Sequence, residues 1–124
     1  MAKILIVEDD KALRDVFELI VKSGGHNVRV AQDGADALKR LPKFIPDIIL
    51  LDMLMPVKSG LEFLQEANLK KAYPAIVVII LSNLSDSQTI QEALKLGAVK
   101  HLIKSDIMPD DLLRELKIHS KWND

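Results

Sequence analysis

The sequence predicts an α/β domain: a doubly wound sheet of five parallel strands, a (βα)5 array in the order 2-1-3-4-5, with helices on both faces. Three observations point there. Short apolar runs alternate with segments of helical periodicity five times over the 124 residues, and strand–helix–strand crossovers of this kind close right-handed around parallel strands. The central run, Ile48–Leu51 (IILL), is apolar without alternation, the pattern of a strand covered on both faces. Four runs end on polar residues, at Glu8 and Asp9, at Asp52, at Ser82 and at Lys104. In open parallel sheets the working groups stand beyond the carboxyl ends of the strands.

Taken in order, residues 4–7 (ILIV) form the first strand and run into Glu8, Asp9 and Asp10. Leu13, Val16, Phe17, Ile20 and Val21 then recur at helical spacing. An Asp near the start can cap this helix, and Gly24-Gly25 ends it. Residues 28–31 are a second strand. Asp33-Gly34 is a turn, and residues 35–41 are a short helix stopped before Pro42. Pro46 leads into the central strand. Beyond Pro56, Ser59-Gly60-Leu61-Glu62 has the capping-box spacing, and Leu61, Leu64 and Ala67 mark the inner face of the third helix. Pro74 breaks the chain. Residues 75–81 are continuously apolar and rich in Ile and Val, a strand. Ser85-Asp86-Ser87-Gln88 is another cap, Ile90, Ala93 and Leu94 form an apolar stripe, and Gly97 sits where a helix stops. Residues 99–103 are the fifth strand. Pro109 suits the first turn of a last helix, Asp110 and Asp111 favour its positive end, and Leu112, Leu113 and Leu116 face inward. Residues 119–124 read as a fraying end.

Residues 1–124 are expected to form one domain, near the commonest domain size, with 48% hydrophobic residues to fill a core. Seventeen basic and eighteen acidic residues give a net charge of −1, so bulk charge points neither to direct nucleic-acid binding nor to a membrane surface. The chain has no cysteine, which excludes a disulfide framework and a thiolate metal site. No apolar stretch approaches bilayer length, and the start MAKILIVEDD lacks a signal-peptide layout. A soluble cytoplasmic domain is the expectation.

With the strand order 2-1-3-4-5, the four polar tips are neighbours at the switch-point crevice. Three carboxylates, one hydroxyl and one ammonium thus converge. Clustered carboxylates repel unless a cation joins them, and an all-oxygen donor set without His or Cys selects a hard ion, Mg2+ or Mn2+. Mg2+ binds through one or two carboxylates plus a phosphate, so this is a site for a phosphoryl group. The metal, Lys104 and the Ser82 hydroxyl can each hold one of its oxygens. A carboxylate nucleophile forms an aspartyl phosphate, and Asp52, alone at the tip of the middle strand, is the candidate.

The chain resembles the receiver domain of two-component response regulators, the flavodoxin-like fold shared with single-domain chemotaxis regulators. The likeness covers essentially the full length. It rests on ILIVEDD, on LLDMLMPVKSG with its D-x-x-M-P-x-x-x-G spacing, on ILS at the fourth strand and on GAVKHLIK at the fifth. The resemblance implies that Asp52 accepts the phosphoryl group from a phosphohistidine on a histidine kinase or phosphotransfer protein. It implies that Asp9 holds Mg2+ directly and Glu8 through water, with Asp52 and the Leu54 backbone carbonyl as further ligands. Lys104 would pair with the acyl phosphate and Ser82 would hydrogen-bond it in the active state. Output would be a population shift over residues 85–118, read by a downstream protein; pairing of two copies through the last helix is left open. Such a protein is a switch, catalysing only its own phosphorylation and dephosphorylation.

The chain departs from the family pattern at three places, and two variable positions beside the site are also informative. Ser105 follows the lysine where proline is usual, often after a cis bond; a cis peptide before a non-proline residue costs about 2.5–4 kcal/mol. Asn83 stands where a small residue follows the switch hydroxyl. His101 replaces the usual switch aromatic and adds a titratable ring. Leu54 and Leu84, both apolar, flank the site where a polar side chain could orient water, so slow loss of the phosphoryl group is expected.

Two rival readings stand beside this one. A receiver-like scaffold would bind its partner without phosphorylation, and Ser105, Asn83 and His101 favour it. A haloacid-dehalogenase-type hydrolase also uses an aspartyl phosphate but needs D-x-D, and Leu54 stands at that spacing. Each residue alone also has a plainer reading: Glu8-Asp9-Asp10 as a helix-cap cluster, Ser82 as a turn residue, Lys104 as a surface lysine. His26 and His119 read as ordinary surface residues, Met53 and Met55 as packing, and Trp122 as part of the tail.

Overall fold

The computed structural model describes residues 2–83 and 87–120. Five strands, β1 (Lys3–Val7), β2 (Asn27–Ala31), β3 (Ile48–Leu51), β4 (Val77–Ser82) and β5 (Ala98–Ile103), form one sheet. All pairs are parallel and the order is β2-β1-β3-β4-β5, as the sequence predicts. Among the described residues six helices accompany them: α1 (Lys11–Ser23), α2 (Gly34–Phe44), α3 (Gly60–Ala67), α4 (Leu69–Ala72), α5 (Ser87–Lys95) and α6 (Pro109–His119).

Alternate strand residues feed two separate cores, because successive side chains on a strand point to opposite faces. Leu5, Val7, Ile49, Leu51, Val78 and Ile80 pack with Ala37, Leu41, Phe63, Leu64, Ile90 and Ala93 of α2, α3 and α5. Ile4, Ile6, Ile48, Leu50, Ile79 and Leu81 pack with Phe17, Val21, Leu112 and Leu116 of α1 and α6. Ile48, Ile49 and Leu51 are fully enclosed, so the non-alternating run does mark a strand covered on both faces.

The local signals act where expected at most helix ends. The Asp10 carboxylate accepts the Leu13 N–H and caps α1, while Gly24 closes it. Ser59 and Glu62 form a reciprocal capping box at α3. Gly97 follows α5 with φ +117°, and Pro109 opens α6. The cap at Ser85-Asp86-Ser87-Gln88 and Leu84 fall on or beside residues 84–86, outside the described residues, as do Trp122 and the rest of 121–124.

Four details differ from expectation. Helix α2 does not stop before Pro42 but runs to Phe44. Proline forfeits one hydrogen bond near the end of a helix, and the extra turn buries Phe44, over whose ring Lys3 Nζ and the Arg29 guanidinium lie at 4.8 and 5.2 Å. The one-turn α4 follows Asn68, which takes the left-handed conformation (φ 49°) and places Leu69 in the core. On α1, Leu13 and Val16 remain exposed, because α1 packs with Phe17 and Val21 facing the sheet. Helix α6 runs to His119, and Ser120 beyond it is buried, while the rest of the expected fraying end lies outside the described residues.

His26 is a histidine with a structural bond. Its Nδ1 accepts the Ala2 N–H at 3.1 Å, which requires the neutral ring, and burial pushes its pKa below the ordinary 6.5. A depressed pKa gives stability that is present above pH 6.5 and lost as pH falls through the folded value. Urea midpoints between pH 8 and pH 5 should therefore fall more steeply for the wild type than for His26→Asn, whose amide oxygen can accept the same bond without titrating.

Candidate functional site

The parallel sheet brings four strand tips to one edge. At the end of β1, the Glu8 N–H continues the ladder to the Ala31 carbonyl at 3.0 Å, and Glu8 turns inward and is buried. Its Oε2 accepts the Asp10 N–H at 3.1 Å. Asp9, next in the chain, is exposed. Asp52 follows β3; its N–H bonds the Val7 carbonyl at 3.1 Å, and the residue is buried. The Leu54 N–H donates to Asp52 Oδ1 at 3.3 Å. Oxygen atoms of Glu8, Asp9 and Asp52 all lie within 4.8 Å of one another.

Lys104, at the end of β5, reaches across the tips of β4 and β3. Its Nζ donates to Glu8 Oε1 at 2.6 Å and to Asp52 Oδ2 at 3.2 Å. Burial pushes both ionisable partners toward neutrality. For Glu8 that effect prevails, helped by the nearby Asp52 charge, and its pKa rises above 4.5. For Lys104 burial alone would lower the pKa, but the hydrogen bond to Glu8 and the field of Asp52 outweigh it, leaving the ammonium above its ordinary 10.5. The lysine is thus held charged between two carboxylates.

Ser82 ends β4 and is buried. Its backbone carbonyl accepts the Lys104 N–H at 3.2 Å and lies 3.2 Å from His101 Nε2. His101 is half-buried on β5, with its ring directed along the strand toward the same tip. Leu54 is 64% exposed at the mouth. The Lys104–Ser105 peptide is trans, in keeping with the cost of a cis bond before serine.

The structure therefore gathers Glu8, Asp9, Asp52, Ser82 and Lys104 at one edge, with Leu54 and His101 beside them. One contributor, Arg14, carries no signal in the sequence, and a second, Gly60, enters it only as the end of a spacing. The Arg14 guanidinium donates to the Glu8 carbonyl at 2.9 Å, tying the β1 tip to α1. Gly60 lies so close to the β3 tip that a Cβ there would run into the Asp52 carbonyl oxygen and stand 2.9 Å from Met53 Cα. That close approach gives the final glycine of the D-x-x-M-P-x-x-x-G spacing a steric reason.

An all-oxygen set of three carboxylates within this span fits a hard divalent cation such as Mg2+. Among the described residues no helix is long and apolar enough to cross a membrane.

A doubly wound five-stranded domain with an acidic pocket at its strand tips is one class of protein, and comparison with known proteins narrows it to a family. Residues 4–117 match the response regulator receiver domain, and the chain belongs to that family of two-component signalling domains. It is similar to the transcriptional regulatory protein ZraR of Salmonella typhimurium, at 36% identity over 101 residues, covering 82% of this chain and 22% of that protein. It is similar to protein-glutamate methylesterase/protein-glutamine glutaminase 3 of Rhodospirillum rubrum, at 39% identity over 107 residues, 86% of this chain and 29% of that protein. The chain thus spans less than a third of the length of these curated relatives. Among solved structures, the Vibrio cholerae chemotaxis protein CheY4 superposes with a TM-score of 0.86 at 30% identity, covering 95% of this chain and 98% of that one.

Proposed function

We propose that this receiver accepts a phosphoryl group on Asp52 and uses it to change partner binding. The observation that carries the reading is the placement of Lys104 Nζ between Glu8 Oε1 and Asp52 Oδ2, at 2.6 and 3.2 Å, with Asp9 alongside. Glu8, Asp9, Asp52 and the Leu54 carbonyl are the groups that would hold Mg2+, or Mn2+. When bound, the cation neutralises charge on the incoming phosphoryl oxygens.

The donor is a phosphohistidine on a histidine kinase or phosphotransfer protein. A carboxylate oxygen of Asp52 attacks phosphorus, the P–N bond breaks, and the ring nitrogen leaves with the bonding pair. The Leu54 N–H and the Lys104 ammonium orient the Asp52 carboxylate for that attack. Lys104 then holds one phosphoryl oxygen, and the Ser82 hydroxyl takes another as β4 and β5 adjust. The new charge and acceptors shift the region of about residues 85–118 toward a form that a downstream protein, or a second copy, recognises. Within these residues the receiver, expected in the cytoplasm, catalyses only its own phosphorylation and dephosphorylation.

Intact-mass spectrometry after incubation with acetyl phosphate tests this. A single phosphoryl adduct should form with Mg2+, be lost without it, and be absent in Asp52→Ala. With apolar Leu54 at the mouth, the adduct should persist well beyond seconds. A folded wild type that forms no adduct would sink the proposal and favour a scaffold that binds its partner unphosphorylated.

A further inference from the structure

The β4 and β5 tips are joined by one more rung than the backbone provides. Ser82 pairs with Ile103 at the end of the parallel ladder, and the Lys104 N–H donates to the Ser82 carbonyl at 3.2 Å. The next amide, that of Ser105, donates at 2.8 Å to Oδ1 of the Asn83 side chain. Consecutive N–H groups on one strand end are thus held by consecutive residues on the other, the second through a side-chain amide standing in for a main-chain carbonyl. The segment is then closed by the Asp106 and Ile107 N–H groups on the Ile103 carbonyl, at 3.0 and 3.2 Å.

From this geometry we infer that Asn83 is a positioning residue for Lys104, acting through the Ser105 N–H. The backbone of Lys104 is held on both sides, by Ser82 before the peptide and by Asn83 after it. That fixes the base of the side chain whose Nζ must reach Glu8 and Asp52. Asn83 also adjoins Ser82, so any movement of the β4 tip is passed to the lysine. Ser105 is part of the device because it keeps a donor that proline lacks. The two residues that depart from the family pattern on either side of the crevice meet in one hydrogen bond.

The inference deepens the proposed phosphoryl-acceptor role and rests on it, but its test has a separate arm. By NMR on the intact chain, the Ser105 amide proton should exchange about threefold faster or more in Asn83→Ala, the effect of losing one neutral hydrogen bond. In Asn83→Asp, which keeps an acceptor at the same reach, exchange should stay slow. With acetyl phosphate and saturating Mg2+, Asn83→Ala should form the adduct about threefold more slowly. In a Ser105→Pro background, which has no donor, the same substitution should add nothing. Three results would each overturn the inference: unchanged Ser105 exchange in Asn83→Ala; adduct formation as fast as or faster than wild type, which would make Asn83 an obstruction; or an equal loss in the Ser105→Pro background. A wild type that forms no adduct would sink the phosphoryl-acceptor reading, while the exchange comparison would still decide whether the clamp exists.

Discussion

Gly60→Ala is expected to destabilise the domain by about 3 kcal/mol, at the upper end for overpacking, and to slow phosphoryl acceptance even in the molecules that stay folded. The obstacle to a Cβ is main chain. The Asp52 carbonyl oxygen and Met53 Cα lie in its path, and the Gly60 N–H is itself bonded to the Met53 carbonyl at 3.1 Å. Neither can yield without moving the loop that carries Asp52. For a domain of this size the melting temperature should drop by roughly 10 °C. Gly25→Ala provides the contrast: Gly25 has φ +84° but open space around its Cβ position, so that change should cost about 1 kcal/mol and leave the phosphorylation rate alone. If both variants lose stability equally and both phosphorylate normally, the steric account of Gly60 is wrong.

The second large effect is expected from Lys104→Met, which keeps the apolar stem and deletes the charge. The ammonium and its two partners are nearly enclosed, with side-chain exposures of 10, 4 and 7% for Lys104, Glu8 and Asp52. Breaking a buried pair leaves an uncompensated charge, so metal-free stability at pH 7 should fall by about 3 kcal/mol. The lysine pKa is raised, so its contribution is fully present below 10.5 and is lost only as pH climbs through the folded value. Neutral pH therefore measures all of it. Glu8, whose pKa is also raised, charges at a cost as pH rises, and that cost grows once the lysine is gone. The gap between variant and wild type should accordingly narrow as pH falls toward 4.5. Mg2+ should stabilise the variant more than the wild type, because the ion then faces three unopposed carboxylates. Adduct formation should slow by about a hundredfold, the loss expected for one preorganised charge. Thermal melts with and without Mg2+ across this pH range, beside the acetyl phosphate assay, check each part.

Much of this was legible in the sequence because parallel sheets are strict about charge. A carboxylate cannot stand within β3, so Asp52 had to follow it, and the same logic set Glu8 beyond the fully buried β1 residues. The strand order then made those tips neighbours. What escaped depended on contacts between elements. Helical periodicity marked Leu13 and Val16 as apolar but could not say that α1 would present Phe17 and Val21 to the sheet. Phe63, fully enclosed, lies beside the stripe of Leu61, Leu64 and Ala67 and is deeper than either flank. Pro42 read as a stop because local rules give it that meaning, whereas burial of Phe44 carries α2 past it. Asn83 and Ser105 each read as a departure from pattern. Only the adjacency of β4 and β5 turns them into a pair.

The charges at the pocket set up a question of electroneutrality. Glu8, Asp9 and Asp52 bring three negative charges and Lys104 one positive, which leaves a deficit equal to a single divalent cation. A pocket so loaded is balanced and has no electrostatic reason to rearrange. Converting the Asp52 carboxylate to an acyl phosphate would replace one negative charge with up to two, while the Lys104 ammonium is already shared between Glu8 and Asp52. On the proposed reading, the Ser82 hydroxyl at the end of β4 would meet part of that surplus. On the same proposed reading, the signal is the relaxation of a small charge imbalance, and its strength should follow the protonation of the phosphoryl group, fading as the medium becomes acidic enough to neutralise it.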